Sequence, residues 1–317
     1  MKVTILTVLA SALLSVAHAP QKRSEEELAS RDLASAKCAR HVGEMQRRRI
    51  EKRAEALTKR SGSYSSVTIT TESPYYPTIQ NDTCILTPEV TTGPYIWTKS
   101  QTLRQDMTEG QAGIPLILDV GVIDINTCEP MRNVLVDLWH CNATGSYSSF
   151  IGRDPNTPFE QLLQELNVTI DDNFDIHTDN TTFLRGMWPT DANGVMEMKT
   201  IVPGFYVDRT VHIHAQVHQN WVLKPNGTVL TGTTANTGQF FIADDITEYL
   251  MSYEPYVSHT EIERTTNAID SIYSQETVNG WSPELAVIPM DGEDYANGII
   301  GYITMGVDST WWNVSSF

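Results

Sequence analysis

The run DRTVHIHAQVH, residues 208–218, holds three of the eight histidines of a 317-residue chain. Successive side chains of a strand alternate between its faces. His212, His214, Gln216 and His218 therefore share one face, while Val211, Ile213, Ala215 and Val217 turn to a core. Two imidazoles two residues apart on one strand face can bind one metal ion. Tyr206 lies six residues before His212, Arg209 three before it, and Tyr147 just past the end of an earlier strand-like run. Two phenols and two imidazoles make a hard donor set. Phenolate oxygen suits Fe(III), whereas zinc sites more often use Cys, His and carboxylate.

These residues need a rigid β framework. IPLILDVGVID (114–124), NVLVDLWHC (133–141), VMEMKTIV (195–202), DRTVHIHAQVH (208–218), QFFIADD (239–245) and GIIGYITMGVD (298–308) read as strands. FEQLLQEL (159–166) reads as a short helix. Their spacing fits a mainly β domain, an antiparallel β-sandwich, over residues 79–317. Residues 24–60 lack Pro and are rich in helix formers, which predicts an N-terminal helical segment. Ser24 and Glu27 have capping-box spacing.

Four ordered blocks resemble the intradiol ring-cleaving dioxygenases in their secreted fungal form: CILTPEVTTGPY (84–95), VDLWHCNATGSYS (136–148), TDANGVMEMKTIVPGFYVDRTVHIH (190–214) and GQFFIADD (238–245). The resemblance implies a non-haem Fe(III) centre held by Tyr147 (equatorial), Tyr206 (axial), His212 and His214. It further implies Arg209 beside the substrate and Gln239 as a polar residue behind the ligands, with Tyr206 also taking a catechol proton. The implied reaction joins O2 to a small catecholic substrate, cleaves between the two hydroxylated carbons and yields a muconate-type diacid, without an organic cofactor. His218 matches no family role and is expected to be a surface or supporting residue; His140 is a poor ligand candidate. Asp208 could orient Arg209 or simply sit in the turn. Tyr95 and Trp97 could line a cleft or pack the strands, and the other tryptophans are expected to pack. The chain departs from the family in its five-residue Tyr206–His212 loop, which is shorter than in bacterial members and predicts a more open cleft. Its N-terminal segment is also unlike the helical dimerisation domain of catechol-cleaving members, so the oligomeric state stays open.

Two other classes fit parts of this pattern. One is a secreted β-sandwich binding protein without turnover, which would be colourless and iron-free. The other is a secreted copper or zinc enzyme using the HxH pair, which would be indifferent to Tyr206→Phe.

MKVTILTVLASALLSVAHA (1–19) has a basic start, an apolar run and a small-x-small end, as a secretory signal peptide does. Six N-x-[ST] sequons, at Asn81, Asn142, Asn167, Asn180, Asn226 and Asn313, agree with secretion and glycosylation. The expected location is extracellular, with no membrane attachment once the signal is removed. Residues 1–60 carry a net charge of +6 and the remainder −23. An acidic main domain argues against nucleic-acid partners. Residues 20–60 contain dibasic pairs at 22–23, 52–53 and 59–60. They read equally as a pro-region and as a basic helix lying on the acidic domain. Residues 61–78 read as a polar linker.

Four cysteines, Cys38, Cys84, Cys128 and Cys141, suggest two disulfides in an oxidising compartment. Cys128 and Cys141 bracket one predicted strand, and about 13 extended residues span roughly 40 Å, too far for a bond. The other two connectivities stay open.

Overall fold

A computed structural model describes residues 37–51 apart from 39, 46 and 50, and residues 90–310 apart from 171–173, 226–228, 232 and 278–281. The expected signal peptide, the linker and the sequons Asn81, Asn226 and Asn313 lie outside the described residues.

Two four-stranded sheets face each other. The first has the order β4 (Val195–Ile201), β1 (Pro115–Asp124), β10 (Ile299–Val307), β9 (Ala286–Pro289). The second has the order β3 (Arg185–Pro189), β2 (Leu135–Trp139), β5 (His212–Gln219), β8 (Thr233–Phe241). A two-stranded ribbon joins β6 (Val222–Leu223) to β7 (Val229–Leu230). The helices are α1 (37–51), α2 (Phe159–Leu166), α3 (Asp244–Leu250) and α4 (Ser271–Glu276).

The sandwich follows from alternation. Leu116, Leu118, Val120 and Val122 of β1 point inward and meet Val136 and Leu138 of β2 and Ile213, Ala215 and Val217 of β5 in one core. Burial of such apolar area is the main force holding two sheets together. Among the described residues the named strands pair antiparallel except β1 with β10, which run parallel from Leu116–Ile299 to Asp124–Val307. Parallel strands need a long connection, and here most of the domain separates them. The pattern of residues could not show that pairing, and β3 and β9 were too short to stand out. The run 239–245 is also corrected: β8 starts earlier, at Thr233, and ends at Phe241, and Asp244 and Asp245 open α3. Helix α2 spans Phe159–Leu166, as expected.

Helix α1 covers the outer face of the first sheet. Its Cys38, Val42 and Met45 pack with Ile123, Ile125 and Cys128. Arg49 forms a buried ion pair with Asp119, Nε to Oδ1 2.5 Å, and donates Nη1 to Thr304 Oγ1 at 3.1 Å. A disulfide joins Cys38 to Cys128. The disfavoured 128–141 pair is thus absent; Cys141 is a buried thiol, and Cys84 lies outside the described residues. Among the described residues, no helix is long and apolar enough to cross a membrane.

Candidate active site

Strand β5 brings both predicted histidines to the outer face of the second sheet, at its centre. Trp139 of β2 lies opposite His214 on one side, and Gln239 of β8 on the other. His214 stacks on the Trp139 ring, with centroids 4.9 Å apart and planes 6° from parallel. His212 is held at its other nitrogen, with Nδ1 2.6 Å from the carbonyl of Thr210. A proton on Nδ1 donated to that carbonyl makes Nε2 the unprotonated nitrogen, as a metal-ligating nitrogen must be.

The two tyrosines arrive on loops. After β2 the chain folds around Asn142, whose Oδ1 accepts from the amides of Thr144 and Ser146 at 3.0 Å each, an Asx-type turn. This turn delivers Tyr147. Gly145 adopts φ +87°, and a Cβ there would sit 2.5 Å from the Phe205 carbonyl. Only glycine meets both demands, so Gly145 lets the Tyr147 loop press against the Tyr206 loop. Tyr206 itself starts a turn closed by Arg209 N–H to Tyr206 O at 3.2 Å.

Four donor atoms converge. Tyr147 Oη lies 3.0 Å from His214 Nε2 and 3.4 Å from His212 Nε2. Tyr206 Oη lies 3.4 Å from His212 Nε2, and the two imidazole Nε2 atoms are 3.2 Å apart. Two N or O donors ~2.1 Å from a shared ion, at angles of about 90–110°, stand about 3.0–3.4 Å from each other. The four contacts therefore have the spacing of neighbouring ligands in one coordination shell. All four side chains are buried. Among the described residues, no three His, Cys, Asp or Glu side chains gather as a metal site; this convergence is half phenol. Burial pushes the Tyr206 phenol up to about 12, against the pull of Arg209, and raises Tyr147 well above its ordinary range. Left alone at neutral pH, both phenols keep their protons.

Arg209 is buried beside Tyr206, with Nη1 3.4 Å from Tyr206 Oη. Its Nη2 donates to Gln239 Oε1 at 2.5 Å, and its Nε donates to Asp270 Oδ2 at 2.8 Å. Burial alone would raise the Asp270 carboxyl; Arg209 and the amides of Tyr273 and Thr210 outweigh it and hold Asp270 below the usual carboxylate range.

A family profile described as Dioxygenase matches residues 91–248. An intradiol ring-cleavage dioxygenase from Tetranychus urticae is similar in structure, with TM-score 0.58 at 25% identity over 73% of this chain and 98% of that one. The chain belongs to the intradiol ring-cleaving dioxygenases. The dioxygenase domain of a carbohydrate-binding fusion protein from Streptomyces sp. SirexAA-E covers 70% of this chain and 98% of that one at 21% identity, TM-score 0.41. Catechol 1,2-dioxygenase from Pseudomonas arvilla C-1 covers 70% and 62% at 19% identity, TM-score 0.40. No curated protein gives a sequence match to the chain.

In this intradiol dioxygenase the six predicted residues, Tyr147, Tyr206, Arg209, His212, His214 and Gln239, lie together. His218 does not join them, and it is not at the surface. It is buried, with Nδ1 3.2 Å from Thr234 Oγ1 and Nε2 4.0 Å from Asp137. A shift of register between Val217 and His218 carries that end of the strand into a different set of neighbours. His140 is also buried away from the donors, bridging the Cys141 carbonyl and Thr200 Oγ1 at 2.7 Å each. Asp208 is exposed at φ +65° and sits in the turn; Asp270 holds Arg209 instead.

Three contributors escaped the sequence reading. Asp270 lies 61 residues after Arg209, with no local signal to connect them. Glu276 accepts from the Gln239 amide at 2.8 Å, and burial raises its carboxyl well above the usual range. Trp139, expected only to pack, packs on a candidate ligand. Tyr95 packs on the two phenols: it stacks on Tyr147 at 5.3 Å and meets Tyr206 edge-on at 5.9 Å. Trp97 stacks on His177 at 4.5 Å. Tyr95, Phe150, Phe159 and Leu162 thus form an apolar, largely aromatic wall around the phenols.

Proposed function

We propose that this chain is a secreted, non-haem Fe(III) intradiol dioxygenase acting on catecholic aromatic compounds. The observation that carries the reading is the convergence of four buried donor atoms: Tyr147 Oη lies 3.0 and 3.4 Å from His214 and His212 Nε2, Tyr206 Oη 3.4 Å from His212 Nε2, and the two Nε2 atoms 3.2 Å apart. Two anionic phenolates and two neutral imidazoles suit a ferric ion by charge and hardness. Held by these four residues, a ferric ion would supply activation of the deprotonated catechol toward O2; both atoms of O2 would enter the muconate-type diacid, whose other two oxygens are those of the catechol.

The chain's own residues divide the remaining work. A catechol must lose two protons to bind through both oxygens. Tyr206 Oη would accept one, since burial favours its neutral, protonated form. Arg209 Nη1, 3.4 Å from that oxygen, favours negative charge on the substrate side of Tyr206. Gln239 Oε1 steadies the guanidinium. Trp139 fixes the plane of His214, and the wall of Tyr95, Phe150 and Phe159 offers an aromatic ring a dry face.

Secretion rests on the leader-like N-terminus and the sequons, of which Asn167 and Asn180 are exposed. The Cys38–Cys128 disulfide agrees with an oxidising compartment.

The test is metal analysis with oxygen uptake on a panel of catechols, using protein recovered from culture medium. The expected result is about one iron per chain, a red-brown phenolate-to-iron absorption and O2 consumption with a ring-opened diacid product. Colourless, iron-free protein that consumes no O2 on any catechol refutes the reading.

A further inference from the structure

We infer that Asp270 is a positioning residue for the reaction, acting through Arg209 from a segment remote in sequence. The inference rests on the reading given under Proposed function.

The guanidinium of Arg209 is held along two of its edges. Nε donates to Asp270 Oδ2 at 2.8 Å, and Nη2 is shared between Gln239 Oε1 at 2.5 Å and Asp270 Oδ1 at 3.5 Å. The planar fork cannot then rotate, and Nη1 is the nitrogen left facing Tyr206 Oη, at 3.4 Å. Gln239 alone would leave one hinge; the carboxylate removes it.

Asp270 is itself tightly fixed. Its Oδ1 accepts the amides of Ile272 and Tyr273 at 2.9 and 3.0 Å, capping α4. Its Oδ2 also accepts the amide of Thr210 at 3.0 Å. Thr210 is the residue whose carbonyl lies 2.6 Å from His212 Nδ1 and whose hydroxyl donates to Asn267 at 2.9 Å. At the other end of α4, Glu276 accepts from the Gln239 amide at 2.8 Å. One short stretch, residues 267–276, therefore pins Arg209, Thr210 and Gln239 from outside the sheet. Asp270 and Arg209 are 1% and 4% exposed, so the pair is shielded from water and its charges act at nearly full strength. Asp270 also balances the arginine charge, so Tyr206 does not carry that cation alone.

The experiment compares wild type, Asp270→Asn, Arg209→Ala and the double variant for iron content, kcat, KM and the phenolate-to-iron absorption band. Asn is as good a helix cap as Asp, so the substitution keeps α4 and removes the charge. Expected for Asp270→Asn are wild-type iron content, a kcat lower by about 10–100-fold with little change in KM, and an absorption band moved to shorter wavelength as Arg209 turns fully onto Tyr206. Adding Asp270→Asn to Arg209→Ala should cost nothing further, because Asp270 acts only through Arg209. Asp270→Glu should recover part of the kcat.

Wild-type kcat and band in Asp270→Asn overturn the inference, as do losses that multiply in the double variant. If Asp270→Asn does not fold, Arg209→Lys carries the test, since a lysine keeps the cation but cannot bridge Asp270 and Gln239. It must then lose kcat by the same order while holding iron, and wild-type kcat overturns the inference. A wild-type protein without iron or O2 uptake defeats the functional reading beneath; a wild type with both, indistinguishable from Asp270→Asn, defeats only this step.

Discussion

The two ends of strand β5 present buried histidines on the same sheet, each beside a buried arginine–carboxylate pair. At one end His212 and His214 meet Tyr147, Tyr206 and the Arg209–Asp270 pair. At the other, His218 meets Thr234 and the Arg185–Asp137 pair, 3.0 Å from Nη2 to Oδ2. Residue type and burial are alike, so neither identifies a site. The difference lies in what the neighbours leave over. The first end aims four donor atoms at one point, and Arg209 turns one nitrogen toward a phenol. At the second end the arginine is spent on structure: Nη1 donates to the Trp97 carbonyl at 2.5 Å and to Ser100 Oγ at 2.8 Å, and Nη2 to Asp137.

Replacing one histidine at each end is the sharpest way to break this comparison. His214→Ala should abolish iron binding and reduce O2 uptake by about 10³-fold or more, since a metal site that loses a ligand loses its chemistry outright. His218→Ala should keep a full complement of iron, as judged by metal analysis. Loss of iron from both variants alike would mean that the ends are not distinct.

Tyr206→Phe should follow in size. Removing the proposed proton acceptor should lower kcat by about 10²–10⁴-fold and change the colour, with iron partly retained on the other three ligands. Unchanged turnover would assign the proton to another group.

Asp137→Asn tests the opposite end. Breaking a buried pair leaves Arg185 uncompensated and should cost about 3–5 kcal/mol of stability, read by denaturant unfolding. The kcat of the surviving folded fraction should stay near wild type, in contrast to Asp270→Asn.

The smallest effect is in pH. Burial lowers His140 and His218 to about 4, the Asp137 charge opposing the shift at His218. In the unfolded chain a histidine titrates near 6.5. Between these values the unfolded state binds more protons. Stability is therefore full above about pH 6.5 and falls as pH drops toward 4, by up to ~1.4 kcal/mol per pH unit per histidine. His218→Asn should flatten that slope by about half in acid-unfolding curves; an unaltered slope would place the titration elsewhere.

The sequence reading reached further at the site than in the frame around it. Tyr206, Arg209, His212 and His214 lie within nine residues, and strand alternation with one tight turn suffices to bring them together. Tyr147 and Gln239 were legible because their blocks resemble a family. The parallel pairing of β1 with β10 was not, because no local pattern records which distant strand closes a sheet. For a related reason the sequence left His218 between a surface and a supporting place. Alternation says which face a residue takes but not what covers that face, and here His218 is buried beside Asp137 and Thr234.

By itself the sequence determined the β-sandwich class and the chemical types of the candidate donors, which follow from short-range periodicity and residue chemistry, and four ordered blocks carried the resemblance to the family. The tertiary structure alone decided that Cys38 pairs with Cys128, that Asp270 rather than Asp208 holds Arg209, and that the two phenols converge on the Nε2 atoms of His212 and His214. Those outcomes depend on the packing of elements tens of residues apart, where the loop-closure cost rises only slowly with separation and side-chain fit chooses the partner.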